Sequence, residues 1–368
     1  MQHAAGRQWM RSALCAAAVC GVFGLHSGAQ SSYIVGADVS YLNQAEAGGT
    51  VFKDKGVPRP GLEILRDHGY NWVRLRLFVH PDKLANDETY TIAAAQQAKK
   101  LGYKVLLDFH YSDTWADPGH QEMPKQWVGQ THEQLVQSVF TYTRDTIAAF
   151  RDAGVLPDMV QIGNEITHGM MWPDGRIEGE NNWQNFTDLL KAGINGVDAG
   201  HGNTPRPLIM IHIDRGGDWT STKHFFDKLE AYDVRYDVIG QSYHPWWQGS
   251  LDDLRDNLYR SAVTYHKQIV LAEVSYPWKP FSAYGSNLKQ SQIDQDKLPA
   301  YPETPEGQAD WLRELNRVVE STPDHLGGGL FWWEPAVPQG RGLRGRGLFG
   351  DDGNALPAVD VFDAFRRK

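Results

Sequence analysis

Cysteine is almost missing from this sequence: there are two in 368 residues, Cys15 and Cys20, both near the start. The long remainder therefore has no disulfide and no thiol chemistry. Long apolar runs are equally scarce. Ser12 to Leu25 forms one, too short for a membrane span of about 20 residues, and nothing later reads as a span. Charge blocks, low-complexity tracts, linkers and internal repeats are absent. So is any excess of base, since 36 Lys and Arg stand against 45 Asp and Glu, a formal charge of −9. An acidic chain argues against nucleic acid and anionic membrane as partners and suits an uncharged substrate.

The start of the chain has the pattern of a secretory signal. Arg7 and Arg11 form a positive n-region, Ser12 to Leu25 a small apolar h-region, and Ser27-Gly28-Ala29 a small-residue cleavage site. The expectation is a secreted protein with a signal peptide over 1–29 and one catalytic domain over 30–368. Removing the signal takes both cysteines, two arginines and no acid, which moves the formal charge from −9 to −11.

The rest of the chain alternates between strand-like and helix-like segments. Eight strand candidates are Ile34–Ser40, Asn71–Phe78, Tyr103–His110, Asp158–Asn164, Pro207–Ile213, Tyr236–Tyr243, Gln268–Glu273 and Gly328–Trp333. Their apolar runs are nearly continuous, as in parallel strands covered on both faces. Helical patterns run over Pro60–His68, Tyr90–Leu101, His132–Arg151 and Glu306–Glu320, the last behind the capping pair Thr304-Pro305. The predicted fold is α/β, a single (β/α)8 TIM barrel. A doubly wound open sheet is the alternative. It calls for a Gly-rich phosphate loop after an early strand, where this chain has Gly36-Ala37-Asp38-Val39-Ser40.

Polar and aromatic residues crowd the C-terminal ends of these strands, the rim where barrel chemistry takes place. Two glutamates stand out. Glu165 closes Met159-Val160-Gln161-Ile162-Gly163-Asn164, and Glu273 closes Ile269-Val270-Leu271-Ala272. A carboxylic acid and a carboxylate facing one another are the minimal equipment for cleaving a glycosidic bond. In this reading Glu165 is the general acid and base and Glu273 the nucleophile. Asn164 is placed on a sugar 2-hydroxyl, Arg74 or Arg76 keeps Glu273 ionised, and Tyr243 donates to it. The plain alternative for either glutamate is a barrel-top ion pair.

Thirteen tryptophans, 15 tyrosines and 14 phenylalanines supply either a large aromatic core or a groove paved with rings. Their position after strands favours a sugar-binding groove. The candidates are His110, Asp113 and Trp115 in one loop, Trp172, Trp246 beside Tyr243, Trp278 and Trp333. A metal site is the weaker reading. His212 with Asp214, or His110 with Asp108 or Asp113, offers nitrogen and oxygen ligands, without the His-x-His or His-Glu-x-x-His spacing of a metallohydrolase. No cofactor is required. A structural calcium site in the loop holding Asn287, Asp294 and Asp296 matches no EF-hand spacing.

Several tracts together resemble glycoside hydrolase family 53, the endo-β-1,4-galactanases. They are Gly36 to Ser40, Val73 to Arg76, His110 to Pro118, Gln161 to Glu165 with Trp172-Pro173, Tyr243 with Pro245-Trp246, and Ala272-Glu273 with Tyr276 to Trp278. Thr304 to Gln308, Trp333 to Pro335, Leu348-Phe349 and Asp352 to Pro357 complete the set, in order along the chain. The resemblance implies catalytic glutamates on strands four and seven and retention of anomeric configuration, with Glu165 as acid/base and Glu273 as nucleophile. It also implies β-1,4-galactan side chains of pectin, the type I arabinogalactans, as the polysaccharide partner; a monomer is the expectation, apart from the resemblance. The chain departs from the family pattern at Gln339–Gly347 and at His168. Mannan, xylan or β-glucan as substrate, and a non-catalytic glycan-binding barrel, remain the alternative readings.

Overall fold

The computed structural model describes Met1 and residues 33–280, 300–338 and 345–365. The chain divides into Met1–Ser32 and Tyr33–Lys368, and everything below concerns the second unit. The signal pattern with Cys15 and Cys20, and the candidate calcium ligands Asn287, Asp294 and Asp296, lie outside the described residues, as does most of Gln339–Gly347.

Eight parallel strands close into a barrel: β1 Ile34–Asp38, β2 Trp72–Leu77, β3 Lys104–Phe109, β4 Met159–Ile162, β5 Leu208–Ile213, β6 Val238–Tyr243, β7 Gln268–Val274 and β8 Gly327–Trp332. They pair in sequence order, and β1 pairs with both β2 and β8, which closes the cylinder and excludes the open doubly wound sheet. The longer helices are α1 Gly61–Asp67, α2 Glu88–Lys100, α3 His132–Asp152, α4 Trp183–Gly200, α5 Trp219–Ala231, α6 Leu251–Tyr265 and α7 Pro305–Glu320, with short helical turns at Leu42–Ala47 and Pro245–Gln248. A 3-10 segment, Val359–Phe365, follows β8. Thr131 and Gln134 form a capping box at the start of α3, and Thr304 caps α7. No helix among the described residues is long and apolar enough to cross a membrane.

Side chains of a strand alternate between two faces, and here the alternation sorts them into two cores. Ile34, Trp72, Leu106, Met159, Met210, Val238, Val270 and Phe331, one from each strand, cluster with Ala272 inside the barrel. The intervening residues, such as Val73, Leu107, Ile211 and Ile239, join the large cluster beneath the helices. Gly36 leaves room for this plug, because a β-carbon there would lie 2.2 Å from the Phe331 ring.

Counting by twos from the plug gives the inward residues nearer the C-terminal ends: Asp38 on β1, Arg74 and Arg76 on β2, Asp108 on β3, Gln161 on β4, His212 on β5 and Ser242 on β6. On β7 the count would put Val274 inward and Glu273 outward. An extra residue intervenes, since Gln241 pairs with Leu271 but Ser242 pairs with Glu273. This bulge at Ala272 resets the alternation and faces Glu273 the same way as Ser242, a known use of bulges beside active sites.

Candidate active site

Arg74 organises the rim from below. Its side chain is buried, and every N–H has an acceptor. Nη1 donates to Asp38 Oδ2 at 2.9 Å and Glu273 Oε1 at 2.8 Å. Nη2 donates to Asp108 Oδ2 at 2.8 Å and Asn164 Oδ1 at 2.7 Å, and Nε to Gln161 Oε1 at 3.3 Å. A guanidinium has five such donors in a rigid fork, so one residue sets the positions of five others. Of the two arginines considered for Glu273, Arg74 is its partner. Arg76 pairs with Glu334, beneath the rings of Tyr41 and Trp115 at 4.7 and 3.9 Å.

Glu165 and Glu273 are both nearly buried, 9% and 6% exposed, and their acidities diverge. Burial alone would raise Glu273, but the Arg74 guanidinium and His244, whose Nε2 lies 4.0 Å from Oε2, hold it well below the ordinary carboxylate range. Burial raises Glu165 well above that range, and the charges of Glu273 and then Asp214 add to the effect. One buried group favours its charge beside a cation, while the other resists charge for want of one. A pair of carboxyls pushed apart in this way is equipped as acid and nucleophile. The local backbone turns left-handed here, freely at Gly163 with φ 79° and with strain at Glu165 with φ 48°. That turn ends β4 at Ile162, two residues short of the expected Asn164, and lifts Glu165 out of the ladder.

Other candidate residues take up supporting positions. Asn164 donates through Nδ2 to Ala116 O at 2.8 Å. His110 Nδ1 accepts from the Ala116 amide at 2.9 Å, which leaves its Nε2–H for Asp108 at 3.0 Å. Asp113 accepts the amides of His80 and Lys125 and so ties down its own loop. Trp246 is buried and stacked on His244 at 5.3 Å. Trp115, Trp278 and Trp333 are half-buried. Trp115 and Trp333 meet edge-on at 6.5 Å, and the Arg346 guanidinium lies 5.2 Å from the Trp333 ring.

Tyr243 requires a correction. It does not donate to Glu273. Its hydroxyl bonds Gly249 O at 2.9 Å and its ring stacks on Trp311. The reason is strand parity: Tyr243 falls on the helix-facing side, and its neighbour Ser242 faces the acids. Ser242 and His244 were the residues to find, and a count by twos along Val238–Tyr243 identifies the first of them.

The metal reading fails on its donors. His212 has both ring nitrogens engaged, Nδ1 with Asn164 Oδ1 at 3.0 Å and Nε2 with Ser242 Oγ at 2.9 Å. His110 is likewise committed at both. Among the described residues one cluster has metal-ligand proximity, His68 with Asp360 and Asp363, and it belongs to α1 and the C-terminal 3-10 segment rather than to this rim.

Comparison with known proteins shows the family of the chain. The family model described as glycosyl hydrolase family 53 matches residues 34–362. An uncharacterized protein of Niallia circulans is 41% identical, with 83% of this chain and 84% of that protein covered. The arabinogalactan endo-beta-1,4-galactanase of Thermothelomyces thermophilus is 34% identical over 89% of this chain and 98% of its own. Among solved structures, the Ignisphaera aggregans GH53 catalytic domain superposes with a TM-score of 0.82 at 32% identity, covering 93% of this chain and 98% of that one.

Proposed function

Because the chain belongs to glycosyl hydrolase family 53 and is a glycosidase on a (β/α)8 barrel, we propose that it is a secreted, retaining endo-β-1,4-galactanase. Its substrate is the β-1,4-galactan side chain of pectin. The observation that carries this reading is the pair of buried rim carboxyls, Glu273 bonded to the Arg74 guanidinium at 2.8 Å and Glu165 set against the Ser242 hydroxyl; burial with a cation and burial without one drive their acidities apart.

The mechanism follows from those states. Glu273, ionised beside Arg74, attacks the anomeric carbon. Glu165 delivers its proton to the departing glycosidic oxygen as the C–O bond breaks, leaving a galactosyl ester on Glu273. Glu165, now a carboxylate, takes a proton from water as that water attacks the same carbon and frees Glu273. Two inversions give net retention. The half-buried rings of Trp115, Trp278 and Trp333 offer apolar faces to the C–H side of the sugars.

Reducing-sugar release from galactan, mannan, xylan and β-glucan tests the substrate, and the anomer formed first, followed by proton NMR, tests the stereochemistry. Galactan is expected to be the best polymer and the β-anomer the first product. A Glu273→Gln enzyme with near-normal galactan hydrolysis would refute the nucleophile's role.

A further inference from the structure

The hydrogen bonds behind Glu165 run in a fixed direction, and that direction begins at Arg74. Arginine has donors and no acceptors and stays charged in proteins. Its Nη2 therefore identifies the Asn164 atom at 2.7 Å as the carbonyl oxygen, and Asn164 Nδ2 independently donates to Ala116 O. The same oxygen faces His212 Nδ1 at 3.0 Å, so Nδ1 must carry a proton. His212 is fully buried. Burial, helped by Arg74 and His110 against the pull of Glu273 and Asp108, pushes it down to about 3, so the ring is neutral. Nε2 is then a bare acceptor, and the group 2.9 Å away is the Ser242 hydroxyl.

A hydroxyl has one proton, and Ser242 gives it to Nε2. Glu165 Oε1 lies 2.5 Å from that same Oγ. Two bare oxygens at that separation repel each other, so the proton between them belongs to Glu165. We propose that Asn164, His212 and Ser242 form a one-way hydrogen-bond relay that keeps Glu165 protonated, its proton resting on Oε1 toward Ser242 until the carboxyl turns to hand it to the leaving oxygen. Ser242 and His212 act as positioning residues for the acid. This rests on the reading of Glu165 as the general acid and adds to it the device that arms it.

The groups facing Glu165 come from four places: Glu273 on β7, Asp214 after β5, Asp117 in the loop after β3, and Ser242 on β6. Asp214 is itself held by the Thr167 hydroxyl at 2.5 Å and Arg215 Nη1 at 3.1 Å. The acids all favour a neutral Glu165, and Ser242 is the only one of these groups that could donate to it. A serine donating to the carboxylate would lower its pKa and oppose the others. With the hydroxyl turned to His212, every neighbour acts in the same sense. Once Glu165 has passed its proton to the leaving sugar, Ser242 can donate to it only by deserting Nε2. The carboxylate is therefore left poorly satisfied and strongly basic, as the second half of the reaction needs.

Two measurements on the full-length protein test the relay. The first is the nitrogen-15 shift of the His212 ring, assigned by its loss in His212→Gln. The neutral Nδ1–H tautomer is expected at pH 5 to 7 on the general scale of histidine titration. The Nε2–H tautomer or a charged ring would overturn the proposal. This readout holds whether or not galactan is the substrate, so it separates failure of the relay from failure of the proposed function. The second is the pH dependence of kcat/KM on a galactan oligosaccharide. In Ser242→Ala the alkaline limb is expected to fall by about one pH unit, a tenfold change, for the loss of one hydrogen bond to the acid form. The acid limb should stay fixed and Ser242→Thr should restore the profile. A Ser242→Ala enzyme with lower kcat and unmoved limbs would refute the relay.

Discussion

Arg74 shows how much one side chain can determine here. Replacing it with Lys leaves three donors in place of five and no planar fork, so at least two of Asp38, Asp108, Glu273, Asn164 and Gln161 lose their bond to residue 74. Removing one partner from a buried charged network costs about 3–5 kcal/mol. Arg74→Lys is expected to lose stability at the lower end of that range in urea denaturation. Its kcat/KM should fall by about a hundred- to a thousandfold, the order seen when one preorganised electrostatic contact is removed, with the acid limb of the pH profile moving upward as Glu273 loses its guanidinium contact. Tyr243→Phe provides the contrast. It removes one hydrogen bond to Gly249 O, worth about 1 kcal/mol, and should leave kcat and the acid limb within twofold of the parent. Residue types at strand ends were readable from the chain, and so were Glu165, Glu273 and the shared parity of Arg74 and Arg76. Which partner each one holds was not. Tyr243 and Ser242 are adjacent, and the aromatic residue drew the role that strand alternation gives to the small one.

At the scale of elements, all eight strands and four helices could be located from apolar runs and caps. The bounds of α4, α5 and α6 could not. In α4 the cause is local: Gly193, Asn195, Gly196 and Gly200 read as helix breakers, yet the helix runs unbroken from Trp183 to Gly200. Tertiary contact explains the glycines. A β-carbon on Gly196 would lie 2.6 Å from Thr143 Cβ and 2.9 Å from Phe140 O, both on α3, and one on Gly200 would lie 2.6 Å from Arg144 O. The glycines let two backbones approach. Gly196→Ala is a sharp test, because helix propensity alone would stabilise the protein by about 1 kcal/mol, while overpacking costs about 1–3 kcal/mol. The melting temperature is expected to drop by several degrees, and a rise would show that α3 can move aside. The bulge at Ala272 was also beyond reach of the sequence, because a bulge changes register without a residue type of its own.

For the molecule as a whole, the opposed acidities link activity and stability to pH. In the proposed mechanism activity needs Glu273 ionised and Glu165 protonated, so it is expected to fall as pH drops through the lowered value of the first and as pH rises through the raised value of the second. Stability follows the same groups. Glu273 contributes above its unfolded value, and that contribution disappears as pH falls toward its lower folded one. Glu165 is the reverse: its contribution is complete below its unfolded value and is lost as pH rises toward the folded one. Glutamine mimics a protonated glutamate and cannot ionise, so Glu165→Gln should melt a few degrees above the parent at pH 7 and close to it at pH 4. Calorimetry at the two pH values checks the sign.

The seam between β1 and β8 carries a consequence for biogenesis. The first strand leaves the ribosome with only one of its two neighbours soon to follow, and it must wait through nearly the whole of translation for the other. Lys53, which bonds Gly353 and Ala355 through its backbone, waits as long. Throughout that interval the nascent chain presents an unzipped flank that can stitch onto a sister polypeptide as readily as onto its own tail. Expression yield should therefore depend on chaperone capacity and on how quickly the last stretch of message is decoded.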